Sequence, residues 1–150
     1  MAEDGARDEG TESAALRAVL AAEHAAVWGY GTVGAGLAPD SRPQAFAADV
    51  AHRDVRDRLV ELLRQRGDDP VAAEPAYALP FPVLSPVDAA ALAVDLEDGV
   101  AAAWVRVLDQ AVSVEVRQLA VDELSAAEVR AVGWRAAAGR TPTTTAFPGL

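Results

Sequence analysis

Leu16, Leu20, Glu23, Val27, Tyr30, Gly34 and Leu37 follow one another at alternating steps of four and three. Such steps place side chains on one stripe of an α-helix, the seam by which it joins a bundle. A second stripe runs through Ala48, His52, Val55, Leu59 and Leu62, and Gly67 stands where that helix should stop. A third passes through Ala93, Glu97, Val100, Trp104, Val107 and Ala111. A fourth, from about Ser113 to Ala138, carries Ala120, Leu124, Ala127, Ala131 and Trp134.

Local signals mark the helix starts. Ser41-Arg42-Pro43-Gln44 reads as a capping box with proline in the first turn. Ser85-Pro86-Val87-Asp88 offers a serine cap, a first-turn proline and an early acid. Ser125-Ala126-Ala127-Glu128 reads as a further box and predicts a break near Leu124.

The connections set the topology. Helices one and two, and helices three and four, are joined by a few residues each, which predicts two antiparallel pairs. Between the second and third lies Asp68 to Ser85, with Pro70, Pro75, Pro80 and Pro82. A helix of 24 residues is ~36 Å long at ~1.5 Å per residue. A proline-stiffened segment at ~3.1 Å per residue could span that distance. The expected fold is therefore all-α, a ferritin-like four-helix bundle with a long Pro-rich crossover between helices two and three. Tyr77, Leu79, Phe81, Val83 and Leu84 fit a crossover that packs against the bundle.

Composition narrows the function. The chain has 150 residues and no cysteine, which excludes disulfides, thiolate zinc sites and thiol nucleophiles. Thirteen arginines face 23 acids, and the net charge of −10 argues against nucleic-acid binding. Lysine, isoleucine and asparagine are all absent, as a GC-rich coding sequence would produce. The N-terminus shows no apolar run and no segment reaches the ~20 residues of a membrane span. These features predict a cytoplasmic protein without membrane contact. Residues 1–12 hold five acids and one arginine and predict a disordered acidic tail. Residues 13–150 then form the bundle domain.

Gly29, Gly31 and Gly34 complete a G-x-G-x-x-G fingerprint, with Asp49 near the distance at which a dinucleotide site wants an acid. The context fails on both sides. Ala14 to Trp28 has helical period where a strand is needed, and Pro39 to Pro43 breaks the chain where a helix and second strand should continue. With Gly36, these glycines point to close helix approach, a frayed helix end, or an interface where backbones meet.

Three ionisable residues sit on the apolar seams: Glu23, His52 and Glu97. Each is near the middle of its helix, so the three should meet near the midplane. Groups buried there must be paired, protonated or bound to a cation. Asp49 stands three residues before His52 and gives an acid-x-x-His pair, of the kind found in di-iron carboxylate bundles. Glu23, Asp49, His52 and Glu97 are thus candidate ligands for iron or manganese. The fourth helix offers Asp122, Glu123 and Glu128 but no histidine. The other reading is a metal-free polar cluster closed by Arg53, Arg106 or Arg117. Ser41, Ser85 and Ser113 are explained as caps, Trp28, Trp104 and Trp134 as core packing, and His24 as a boundary residue.

LAAEHAAVWGYG, AHRDVRDRLVELL, PAYALPFPV and the closing TAFPGL resemble the ferritin-like domain-of-unknown-function family of actinobacteria. The resemblance covers about residues 13–150. It implies a ferritin-like bundle, a homodimer, and Glu23, His52 and Glu97 as the polar positions, with no established activity. The expected function is an oligomeric binding or structural module without redox turnover, in which Phe81 and Phe147 cover the bundle or meet a protein partner. The alternative is a mononuclear or degenerate dinuclear iron or manganese protein, favoured if Asp122 or Glu123 turns inward beside Glu97.

Overall fold

A computed structural model describes the backbone of residues 2–150 and the side chains from residue 9 onward. Four helices, α1 (Ala2–Gly36), α2 (Arg42–Gln65), α3 (Pro86–Gln110) and α4 (Val114–Ala137), account for the regular structure, with one 3-10 turn at Pro39–Ser41. There is no strand among the described residues.

The tail expected over residues 1–12 falls partly on Met1 and on the side chains of residues 2–8, which lie outside the described residues. Its last part is no tail. Residues 9–12 are helical, and Glu12 is only 1% exposed. The Glu12 carboxylate accepts from the backbone N–H groups of Val112 and Ser113 in the α3–α4 turn and pairs with Arg66 at 2.7 Å. A run of acids suggested solvation, but this one has donors waiting for it at the far end of two other helices.

Helix ends follow their local chemistry in most places. Ser85 Oγ accepts from the Asp88 N–H at 3.1 Å, and Ser113 Oγ accepts from Val116 at 3.2 Å, as N-caps do. Gly67 takes φ +79° after α2, and the Asp68 N–H closes the turn on the Leu63 carbonyl. Two expectations fail. The capping box at Ser41 does not form: Ser41 sits at φ −96°, ψ −12° and makes no side-chain cap, because the 3-10 turn runs straight into α2. The break near Leu124 is absent too, and α4 is continuous. Ser125 donates back to the Val121 carbonyl at 2.7 Å, so its hydroxyl is used inside the helix.

Contacts fix the directions. At one end of the bundle Glu12 of α1 meets Arg66 after α2 and the α3–α4 turn. At the other end Gly36 faces Ala89 near the start of α3. Helix α1 is therefore antiparallel to α2 and α3, and α2 runs parallel to α3. The segment between α2 and α3 travels back along α1. Ser13 donates to Asp68, His24 Nε2 donates to the Val71 carbonyl at 3.0 Å, Trp28 and Tyr77 meet with ring centroids 5.7 Å apart, and Val83 reaches Gly36. His24 is thus an anchor for this segment, and Trp28 lies under it at 37% exposure instead of in the core.

Two apolar clusters fill the bundle. One gathers Leu16, Leu20, Leu59, Leu63, Trp104 and Leu119, the other Tyr30, Val33, Leu37, Leu92, Val94 and Trp134. The α2 seam passes through Leu63 and leaves Leu62 half-buried, one position off the sequence pattern. Phe81 packs against the second cluster, while Phe147 remains 73% exposed.

Gly36 is where α1, α3 and the returning segment crowd together. A Cβ there would stand 2.9 Å from Ala89 Cβ and 2.9 Å from Val83 Cγ1. Neither neighbour is the tip of a long flexible chain. Gly36→Ala should therefore lower stability by about 1–3 kcal/mol, although alanine is the better helix former. Urea unfolding of the two proteins measures this, and an unchanged or raised midpoint would contradict such close packing.

Candidate functional site

Between the two apolar clusters the helices place ionisable groups on their inner faces. Helix α1 supplies Glu23 and Tyr30, α2 supplies His52, α3 supplies Glu97 and Trp104, and α4 supplies Arg130. His52 and Glu97 are fully buried, and Glu23 and Tyr30 nearly so.

His52 lies between the two carboxylates. Its Nδ1 is 2.6 Å from Glu23 Oε2, and its Nε2 is 3.1 Å from Glu97 Oε1. Ionised carboxylates only accept hydrogen bonds, so both ring nitrogens must carry protons. Burial alone would push the imidazole toward its neutral form. The hydrogen bonds and charges of Glu23 and Glu97 outweigh burial and raise its pKa to about 9. The ring also stacks on Tyr30, with centroids 5.3 Å apart.

Glu97 Oε1 is the hub. It accepts from Tyr30 Oη at 2.5 Å, from Arg130 Nε at 2.9 Å and from His52. Burial would raise its pKa, but His52 and Arg130 hold it below the ordinary carboxylate value. Burial beside this anion pushes the Tyr30 phenol well above its usual range, so it stays a neutral donor. Burial opposes the charge on Arg130, and Glu97 more than compensates, raising its pKa. Glu23 Oε1 also lies within 3.4 Å of Trp104 Nε1. Two carboxylates face one imidazolium and one guanidinium, so the network is neutral as a whole.

The three residues expected at the midplane are brought together. Asp49 is not among them. Its Oδ2 accepts from Arg53 Nε at 2.8 Å, and its Oδ1 is buried without a partner at the side of a cleft between α1 and α2. Three residues is slightly less than one helical turn, and that offset carries Asp49 off the face that holds His52. The arginine that closes the cluster is also a different one. Arg53 holds Asp49, Arg117 donates to the Ala111 carbonyl, and Arg106 is exposed. Arg130 takes the position instead. It lies three residues after Ala127 and four before Trp134, so the seam spacing contained it. Tyr30 stood on its seam as an apolar residue, and the hydroxyl was the overlooked part.

Helix α4 brings no carboxylate to the network. Asp122 accepts from Gln118, and Glu123 lies 3.9 Å from Arg58. Burial, then the charge of Glu23, raise the Glu123 pKa, which places it near the edge of the cluster without a hydrogen bond to it. Glu23 and Glu97 approach opposite edges of one imidazole and do not converge on a point. The cation beside Glu97 is the Arg130 guanidinium. Among the described residues no group of three His, Cys, Asp or Glu side chains is set to hold a metal. No helix among them is long and apolar enough to cross a membrane.

A buried arginine also went unnoticed in the sequence. Arg135, 5% exposed, donates to Asp98 at 2.6 Å, to Glu128 at 2.7 Å and to the Thr143 carbonyl at 3.0 Å. It ties the C-terminal segment to α3 and α4.

Residues 15–150 match a family described as a domain of unknown function (DUF4439), and the chain belongs to that family. A similar solved structure is the crystal structure of a conserved hypothetical protein from Mycobacterium tuberculosis. The two are 37% identical over 94% of this chain and 99% of that one, with a TM-score of 0.85. No curated protein matches.

The charges of this network make stability depend on pH in a definite direction. His52 has an ordinary value of 6.5 and titrates at about 9 in the fold, so its contribution is complete below about pH 6.5 and is lost as the pH rises through 9. Glu97 is held below its ordinary 4.5, so its contribution is present above that value and is lost on acidification. Chemical unfolding from pH 4 to 10 should show a plateau between about 4.5 and 6.5 and a fall on the order of 2–3 kcal/mol toward pH 9. His52→Gln should remove most of the alkaline fall. A wild-type curve flat from pH 6.5 to 9 would mean that His52 is neutral.

Proposed function

Taking that family membership as the premise, we propose that the chain is a ferritin-like bundle working as a cytoplasmic, homodimeric binding or structural module without redox turnover. The ferritin-like reading is supported by the antiparallel α1–α2 and α3–α4 pairs and by the proline-rich return along α1 that makes α2 and α3 parallel. Exposed Phe147 and Leu150, at 73% and 92%, leave apolar groups available to a protein partner.

One observation carries the absence of redox chemistry from this reading: Arg130 donates to Glu97 Oε1 at 2.9 Å. Where a metalloprotein of this shape presents a ligand from its fourth helix, this chain presents a permanent cation of its own. Both nitrogens of His52 are engaged as donors, which leaves no lone pair for a metal. The network then acts as the neutral polar layer that fixes how the helices meet, and binding falls to the surface.

The second reading, iron or manganese on Glu23, Asp49, His52 and Glu97, rests on the buried and unpaired Glu97 Oε2. It requires His52 to give up a proton, Asp49 to leave Arg53, and Arg130 to withdraw. Elemental analysis of untagged protein purified without chelator, followed by anaerobic titration with ferrous iron, separates the two. Less than stoichiometric metal and no saturable uptake are expected. One equivalent of iron or manganese that disappears in His52→Ala would overturn the metal-free reading.

Substitutions test the same point without metal. Arg130→Met should cost about 3 kcal/mol, because it leaves the two buried carboxylates Glu23 and Glu97 sharing the single charge of His52. Adding Glu97→Gln to Arg130→Met should recover a substantial part of that loss. Denaturant midpoints of the single and double variants measure the coupling, and strictly additive losses would remove Arg130 from the network.

A further inference from the structure

The outer face of α2 carries one stripe of unusual composition. Arg42, Phe46, Asp49, Val50, Arg53 and Asp57 are spaced so that they share a side of the helix. Phe46 is 70% exposed and Val50 40%, although both are apolar. The Arg53 and Asp57 side chains are 49% and 67% exposed. Two arginines and two aspartates make the stripe neutral on a chain of net charge −10. Two copies of so acidic a molecule repel each other over most of their surface, and this face is an exception.

The stripe is also its own complement when reversed. A two-fold axis between Asp49 and Val50 sets Arg42 of one copy opposite Asp57 of the other, and Phe46 opposite Arg53. The interface would then hold two arginine–aspartate pairs and two guanidinium–phenyl contacts, the isologous pattern of a closed dimer. The ion pairs these residues make within one chain are weakly held. Arg53–Asp49 and Arg56–Asp57, both 2.8 Å, are solvent-exposed. Arg42 spends only its Nε, on the Leu37 carbonyl at 3.3 Å.

Shape agrees with charge. Beside the stripe, between α1 and α2, lies a cleft of about 310 Å³ bordered by Val27, Gly31, Gly34, Phe46 and Arg53. Nothing lies within 4 Å of the position a Cβ on Gly31 would take, so the α1 side of the cleft is open to an entering group. The phenyl ring of a second Phe46, placed opposite Arg53, arrives at the Val27 end of this cleft.

We infer that α2 is the dimer face, pairing antiparallel with α2 of a second copy so that Phe46 enters the α1–α2 cleft and Arg42 meets Asp57. The inference rests on the homodimer reading given above and names its surface. Light scattering coupled to size exclusion, with sedimentation at several micromolar concentrations, reads the outcome. The wild type should be a dimer. Phe46→Arg, which sets two guanidinium groups against each other in place of a guanidinium–phenyl contact, should raise the dissociation constant by about thirtyfold or more. Arg42→Asp and Asp57→Arg should each weaken the dimer, and the two together should restore it. All three positions are exposed, and circular dichroism with denaturant unfolding shows whether each variant keeps its fold. A dimer that survives Phe46→Arg and Arg42→Asp unchanged would overturn this face while leaving the homodimer reading intact. A double variant as weak as the singles would overturn the antiparallel register. A monomeric wild type would overturn the homodimer reading, and this inference with it.

Discussion

An imidazolium held between two buried carboxylates sets the terms for the rest of the bundle. Glu23 and Glu97 lie in α1 and α3, and each is nearly free of solvent, so each needs a cation within reach. His52 serves both from α2, and Arg130 adds a second charge from α4. If any helix slid by one turn, a carboxylate would face the alkyl groups of an apolar cluster with no donor beside it. The layer therefore penalises every register but one. The apolar seams alone, built largely from alanine, valine and leucine, would tolerate several.

The connection between α2 and α3 works with that layer. Its contacts with Ser13, His24, Trp28 and Gly36 follow α1 along its length. It covers the flank of α1 and delivers α3 to the end of the bundle where α1 finishes. Glu12 and Arg66 then fasten the opposite end, where α2 stops and α3 turns into α4. Both ends are thus tied by contacts between residues far apart in sequence, and the apolar clusters lie between them.

Much of this was legible in the residues, and the misses share a cause. The four seams, the caps at Ser85 and Ser113 and the meeting of Glu23, His52 and Glu97 follow from helical spacing, which is a local property. Asp49 was misplaced because three residues around a helix leaves an offset that tertiary packing resolves one way or the other. Arg130 and Tyr30 lay on the right stripes, but a long side chain on a seam can turn toward the core or toward water, and spacing does not say which. Glu12 sits in a run of acids that looks solvated until the backbone donors of Val112 and Ser113 arrive from a distant part of the chain. Periodicity cannot report the partner that another part of the chain supplies.

The division of charge between the two helical hairpins has its own consequence. The α1–α2 hairpin contributes Glu23 and His52, and the α3–α4 hairpin contributes Glu97 and Arg130. Each half therefore carries one acid and one base, and docking the halves brings together two dipolar but uncharged faces. In the folded bundle neither side of the seam between the hairpins concentrates like charge. The polar layer behaves as a keyed joint whose two sides balance their charge where they meet.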